Sequence, residues 1–210
     1  LKESDVIIGY TVYVDLVKEH FPGKEFMTTP MKKEVDRCVM AFEEAKKGKT
    51  VSMICSGDAG VYGMSGLMYE VGVSYPEVEL SVIPGVTAAT GGGAVLGAPL
   101  IHDFCLISLS DLLTPWEKIE GRLLGASKAD FVICLYNPSS KKRSDYLAKA
   151  CDLMMQYKSE DTVCGIVGNI GRDGESFKVM TLKELRDTSV DMFTTAVVNI
   201  DRKSTRLNSS

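Results

Sequence analysis

Two stretches of this sequence combine small and polar residues in the pattern of a ligand-holding turn. The apolar run Val51-Ser52-Met53-Ile54-Cys55 leads into Ser56-Gly57-Asp58-Ala59-Gly60-Val61-Tyr62-Gly63, and Leu80-Ser81-Val82-Ile83 leads into Pro84-Gly85-Val86-Thr87-Ala88-Ala89. Glycine and alanine let backbone amides approach a ligand closely. Free N–H groups where a helix opens hold polar or anionic groups. Asp58 fits two roles, a partner for ligand hydroxyls or the N-cap of the next helix, and Thr87 likewise either contacts ligand or caps. Such turns at strand ends take a nucleotide-like small molecule.

Two further stretches lie later in the chain. In Ser108-Leu109-Ser110-Asp111-Leu112-Leu113-Thr114-Pro115-Trp116-Glu117, Thr114, Pro115 and Glu117 have the spacing of a capping box with proline in the first helical turn. Ser108, Ser110 and Asp111 are left over, just past a strand's carboxyl end, where polar side chains face ligand. Trp116 is either core or a flat surface for a planar substrate. Tyr136-Asn137-Pro138 ends another strand, and the Lys141-Lys142-Arg143 triplet after it either enters a solvated helix or meets carboxylates of an acidic substrate.

These residues need a scaffold of alternating strands and helices. Val6-Ile7-Ile8 reads as a strand, with a short helical segment near Asp15 to Glu19. Met31 to Lys47 reads as a helix with Val35, Cys38, Val39 and Phe42 on its apolar face, and Gly48 stops it. Strand 50–55, helix 59–72, strand 78–83 and helix 85–96 follow. Gly91-Gly92-Gly93 inside the last helix disfavours it by about 1 kcal/mol per glycine relative to alanine, so close packing is expected there. After a connector at 98–103 the pattern restarts with strands 104–109, 130–136 and 162–167 separated by helices 115–124 and 143–157. Strands 176–180 and 193–199 flank a short helix at 181–186 and imply an antiparallel or mixed edge. The expected domains are 1–102 and 103–200, with 201–210 a non-native tail without order.

Composition narrows the function. The chain has 210 residues, 45% of them hydrophobic, and a net charge of −4. That balance argues against a partner that is nucleic acid or an anionic membrane. No run is long enough to span a bilayer. The six cysteines form no C-x-x-C pair and mostly sit in apolar runs, so reduced thiols and a cytoplasmic location are expected. With two histidines, no metal site is expected. Gly48-Lys49-Thr50 mimics the end of a phosphate-binding loop but has Glu43 where the motif needs glycine.

The turn from Ser56 to Gly63, the turn from Val82 to Ala89, and Leu135-Tyr136-Asn137-Pro138 together resemble the tetrapyrrole methylase family of S-adenosylmethionine (SAM) enzymes. Leu96 to Phe104 and Ile107 to Trp116 are similar to the branch that methylates C-17 of precorrin-3B or cobalt-factor III with ring contraction, in cobalamin biosynthesis. The resemblance implies an α/β fold of two α/β/α domains with a SAM-binding cleft between them, commonly a homodimer. It implies SAM contacts from Ser56, Gly57, Asp58, Val61, Thr87, Ala88, Tyr136, Asn137 and Asn169. Ser108, Ser110 and Trp116 are the candidate substrate contacts, and Asp111, with His102 second, the candidate for proton transfer. Family members open with a strand and a glycine-proline-glycine turn and carry a segment beyond Val198. The chain is therefore expected to be a truncated piece. The rival readings are a SAM-binding, dimerising remnant without catalysis and a nucleotide-binding oxidoreductase, though Gly91-Gly92-Gly93 lacks the G-x-G-x-x-G spacing.

Overall fold

A computed structural model describes residues 1–140 and 143–199 and divides the chain into two compact units that meet in sequence at Thr87 and Ala88. The expected boundary near residue 102 falls later than this. The helix 88–95 belongs to the second unit, because Ala89 is buried there with Val132, Cys134 and Val197.

In the first unit, β1 (Val6–Tyr10) lies between β2 (Glu25–Thr29) and β3 (Val51–Ile54), all parallel. Strand β2 had no clear signal in the sequence reading, since Glu25-Phe26-Met27-Thr28-Thr29 does not alternate apolar with polar and its only β-branched residues are the two closing threonines. β1 alternates its faces. Val6 and Ile8 pack with Cys38, Ala41, Phe42 and Met68 of α2 (Glu34–Lys46) and α3 (Ser65–Gly72). Gly9, on the other face, meets Val14 of α1 (Thr11–Val17) and Ile54. Phe42 stacks on Tyr75 with centroids 4.8 Å apart, which closes the far side of this core.

Two expectations fail here. Residues 78–83 form no strand, because a strand exists only through a partner's ladder and among the described residues none pairs with them. Helix α2 is also turned relative to its expected face. Cys38 and Phe42 are buried as read, but Val35 and Val39 are exposed while Arg37 and Ala41 go inward.

The second unit holds a five-stranded sheet of order β4-β5-β8-β6-β7. β4 (Phe104–Ser108) and β5 (Val132–Tyr136) are parallel, and β8 (Thr194–Val198) runs antiparallel between β5 and β6 (Val163–Gly168). β7 (Ser176–Thr181) is the antiparallel edge. The sheet is thus mixed as expected, but the final strand lies inside it. α5 (Trp116–Lys128), α6 (Tyr146–Met154) and α7 (Leu182–Arg186) cover one face, around Leu123, Ile133, Leu135, Met154 and Leu185. α4 (Ala88–Val95) covers the other. Its glycines serve that packing. A Cβ on Gly92 would touch Ile170 at 3.1 Å, and one on Gly93 would touch Leu100 at 3.3 Å.

The expected capping box at Thr114 is absent. α5 opens one residue later than the motif assumes, with Pro115 as a cap that has no side-chain acceptor and whose carbonyl takes the Lys118 and Ile119 amides. A capping box forms instead at α7, between Thr181 and Glu184. Lys141, Lys142 and the tail 201–210 lie outside the described residues. Among the described residues, no helix is long and apolar enough to cross a membrane.

Candidate active site

In the first unit the two glycine turns are joined directly. Asp58 Oδ2 accepts the Gly85 amide at 2.8 Å, and Oδ1 accepts the Gly60 amide at 2.7 Å. A Cβ on Gly85 would stand 2.1 Å from the Gly57 carbonyl oxygen, so only glycine allows this approach. Asp58 is therefore not the N-cap of α3, which begins at Ser65; its carboxylate bridges two backbones. Those amides hold its pKa below the usual carboxylate range, the Gly85 bond contributing most and the Gly60 bond next. The turn takes left-handed backbone at Gly57 (φ 72°) and Tyr62 (φ 53°). Ser56, Gly57 and Gly60 remain exposed at the carboxyl end of β3, with Val61 half-buried beside them. Thr87 is half-buried at the end of this unit.

In the second unit Tyr136, Asn137 and Asn169 reach the same end of the sheet, and the register shows why. Leu135 and Ile166 both pair with Ala196 across β8, so β5 and β6 run the same way and release their carboxyl ends together. The Tyr136 hydroxyl accepts the Ala89 amide at 2.7 Å and so fixes the opening of α4, next to Ala88. Leu96 packs on Gly165 and Gly92 on Val167 and Ile170, so α4 runs back along β6 from that end. Asn137 and Asn169 both adopt left-handed backbone, φ 51° in each, a conformation that asparagine tolerates better than most residues. Asn137 Nδ2 donates to Ser108 Oγ at 2.9 Å, and Asn169 Nδ2 reaches the Gly174 carbonyl at 3.5 Å.

Beyond β4 a second cluster forms. The Ser110 amide donates to Ser108 Oγ at 3.2 Å. Asp111 accepts the Tyr146 hydroxyl at 2.6 Å on Oδ2, while Arg143 Nε stands 3.7 Å from Oδ1. Arg143 also donates to the Leu109 carbonyl and Ser140 Oγ, which pins it against the strand ends. The hydrogen bond to Asp111 raises the pKa of Tyr146, because ionising the phenol would lose it, and desolvation and the Asp111 charge act in the same direction. Trp116 packs against the core on one side and meets the Tyr146 ring at 4.6 Å with a 54° tilt. It is both core and partly open surface. Tyr146 escaped the sequence reading because it belongs to a helix with no motif; only the return of α6 to the strand ends brings it to Asp111.

His102 is placed at the wrong end. It precedes β4, whereas Ser108 to Asp111 follow it, and a five-residue strand at about 3.3 Å per residue separates the two by roughly 16 Å. It drops out as a proton-transfer candidate. All six cysteines are free thiols. Burial raises Cys134 and Cys164 to about 12 and Cys38 to about 11.

Known proteins share this arrangement. The chain is 46% identical over 206 residues to a probable cobalt-factor III C(17)-methyltransferase of Salmonella typhimurium, covering 98% of this chain and 85% of that protein. It is 45% identical to the cobalt-factor III methyltransferase of Priestia megaterium, covering 94% of this chain but 38% of that longer protein. A precorrin-3B C(17)-methyltransferase of a Sinorhizobium species is 38% identical, with 90% and 76% covered. The crystal structure of the methyltransferase CobJ superposes with a TM-score of 0.85 at 32% identity, over 94% of this chain and 83% of that one. The model for tetrapyrrole (corrin/porphyrin) methylases matches residues 1–186. Turns, strand ends and relatives converge: this chain belongs to the tetrapyrrole methylases.

Proposed function

We propose that the chain transfers a methyl group from SAM to C-17 of a tetrapyrrole in cobalamin biosynthesis, with contraction of the macrocycle. The observation that carries this reading is the Asp58–Gly85 junction, which holds the second glycine turn against the first at the carboxyl end of β3 in a family member. Identity is higher to the cobalt-factor III enzyme of Salmonella (46%) than to the precorrin-3B enzyme of Sinorhizobium (38%), which supports the cobalt-containing macrocycle as the substrate.

The residues fit the donor. Gly57, Gly60 and Gly85 leave backbone groups uncovered by side chains, and Asp58 keeps acceptor lone pairs beyond its two amide bonds. In the first unit Ser56, Gly57, Asp58, Val61 and Thr87 are the proposed contacts. In the second they are Ala88, Tyr136, Asn137 and Asn169. When bound, the sulfonium supplies an activated methyl group and leaves as a neutral thioether. The leaving side thus needs no acid, and the protein's task is alignment and exclusion of water. Orientation of this kind contributes up to about 7–11 kcal/mol to lowering a barrier. Ring contraction also moves protons. Asp111 is the proposed acceptor, with Tyr146 holding one of its oxygens and Arg143 standing beside the other. Ser108, Ser110 and Trp116 are the proposed macrocycle contacts.

The free thiols support a reducing compartment, the cytoplasm, and the family resemblance supports a homodimer, which sedimentation velocity tests. The function is tested by incubating the chain with SAM and cobalt-factor III and following the product by mass spectrometry. Gain of one methyl group with the spectrum of a contracted ring is expected. Binding of S-adenosylhomocysteine without turnover would favour a non-catalytic remnant, and binding of a nicotinamide cofactor instead would overturn the assignment.

A further inference from the structure

Of the buried charges that the proposed chemistry leaves unused, Glu44 and Lys158 have ion-pair partners and Arg37 stands apart from them. It is 4% exposed, on a helix where Val35 is 53% and Val39 37% exposed. Burying a guanidinium while two valines stay in water runs against the hydrophobic effect. Position 37 therefore calls for the charge itself. Its surroundings point the same way. Nε donates to Thr29 Oγ1 at 2.9 Å. The terminal nitrogens have only long contacts, 3.3 Å to the Pro30 carbonyl and 3.9 Å to Met64 Sδ. The ring of Tyr10 lies 5.9 Å away. Hydroxyl, carbonyl, thioether and ring are all neutral, and among the described residues no carboxylate pairs with Arg37. A buried cation without a counter-charge is costly, and its planar fork matches one class of partner best, a carboxylate.

The location is that of a ligand group. Tyr10 and Thr29 are the last residues of parallel strands β1 and β2, and Met64 closes the glycine-rich turn ahead of α3. Ligands of such sheets bind outside the carboxyl ends of the strands. We infer that Arg37 anchors a carboxylate of a bound ligand at the strand ends of the first unit. This rests on the methyltransferase reading, in which both small molecules carry that group: the amino-acid end of SAM and the acidic side chains of the macrocycle. Thr29 holds the guanidinium at Nε, which leaves the two terminal nitrogens to form the fork.

The test compares the full chain with Arg37→Gln and Arg37→Lys. Titration calorimetry measures S-adenosylhomocysteine and 5′-methylthioadenosine, which lacks the amino-acid end. Kinetics give KM and kcat for cobalt-factor III, and thermal unfolding reports stability. If the carboxylate is the donor's, Arg37→Gln weakens S-adenosylhomocysteine by about tenfold or more and leaves methylthioadenosine unchanged. If it is the macrocycle's, S-adenosylhomocysteine binding is kept and KM rises by about tenfold or more, with a smaller fall in kcat. In both cases Arg37→Lys recovers part of the loss. A variant that is less stable but unchanged in every binding constant and in KM would overturn the anchor and leave Arg37 a structural residue. Should the glutamine variant not fold, the lysine variant decides alone: it keeps the charge without the fork, and equal affinity and KM overturn the inference. A wild-type chain that binds neither nucleoside would remove the methyltransferase reading itself, and the anchor with it.

Discussion

Gly57 and Gly85 meet backbone to backbone: a first side-chain carbon on Gly85 would fall 2.1 Å from the Gly57 carbonyl oxygen. A backbone carbonyl cannot swing aside as a side chain can. Gly85→Ala is therefore expected to push the two turns apart and break the Asp58–Gly85 hydrogen bond. S-adenosylhomocysteine affinity should fall by about tenfold or more by calorimetry, a loss of about 1.4 kcal/mol. Unchanged affinity would show that the junction is not part of the donor site.

A contrasting glycine sits in the second unit. A Cβ on Gly165 would meet the Leu96 side chain at 2.6 Å. Here the neighbour is flexible and the cost is overpacking, about 1–3 kcal/mol. Gly165→Ala should lower the denaturant midpoint without changing the slope. Adding Leu96→Ala should remove part of that overpacking, seen as non-additivity in a double-mutant cycle.

Asp58 makes stability depend on acid. Its folded-state pKa lies below the ordinary value, so its contribution is fully present above the unfolded carboxylate value, about 4, and fades as pH falls through the folded one. The gap in melting temperature between wild type and Asp58→Asn should be constant from neutral pH down to about 5 and narrow below about 4. A gap that stays the same into strong acid would contradict the bridging carboxylate.

Tyr146→Phe removes the hydroxyl that holds Asp111. The carboxylate then loses the partner that fixes one of its oxygens. We expect kcat for ring contraction to fall by about tenfold through misplacement of the carboxylate, while S-adenosylhomocysteine affinity stays within about twofold. Asp111→Asn should slow contraction by about 10²-fold or more. Retention of full contraction by Asp111→Asn would remove that residue from the mechanism.

The thiols divide by burial. Cys38, Cys134, Cys151 and Cys164 are buried with raised pKa values, and half-buried Cys55 and Cys105 are raised by desolvation to a lesser degree. At pH 8 the thiolate fraction is small at all six. Iodoacetamide should label Cys55 and Cys105 slowly and the other four only after unfolding, as peptide mass spectrometry will show.

Much of this protein is written locally. The turns at Ser56 and Pro84, the strands 104–108 and 132–136 and the glycines of α4 are legible because glycine, β-branched runs and strand-end polar residues act through short-range backbone chemistry. What the sequence could not display depends on contacts made far along the chain. β2 exists because β1 offers it a ladder, and residues 78–83 stay unpaired for want of one. Tyr146 reaches Asp111 only when α6 folds back over the sheet, and α2 turns Arg37 inward against its own hydrophobic pattern because Tyr10, Thr29 and Met64 converge there. Local preference selects the elements, but pairing and burial decide which side chains end up sharing a site.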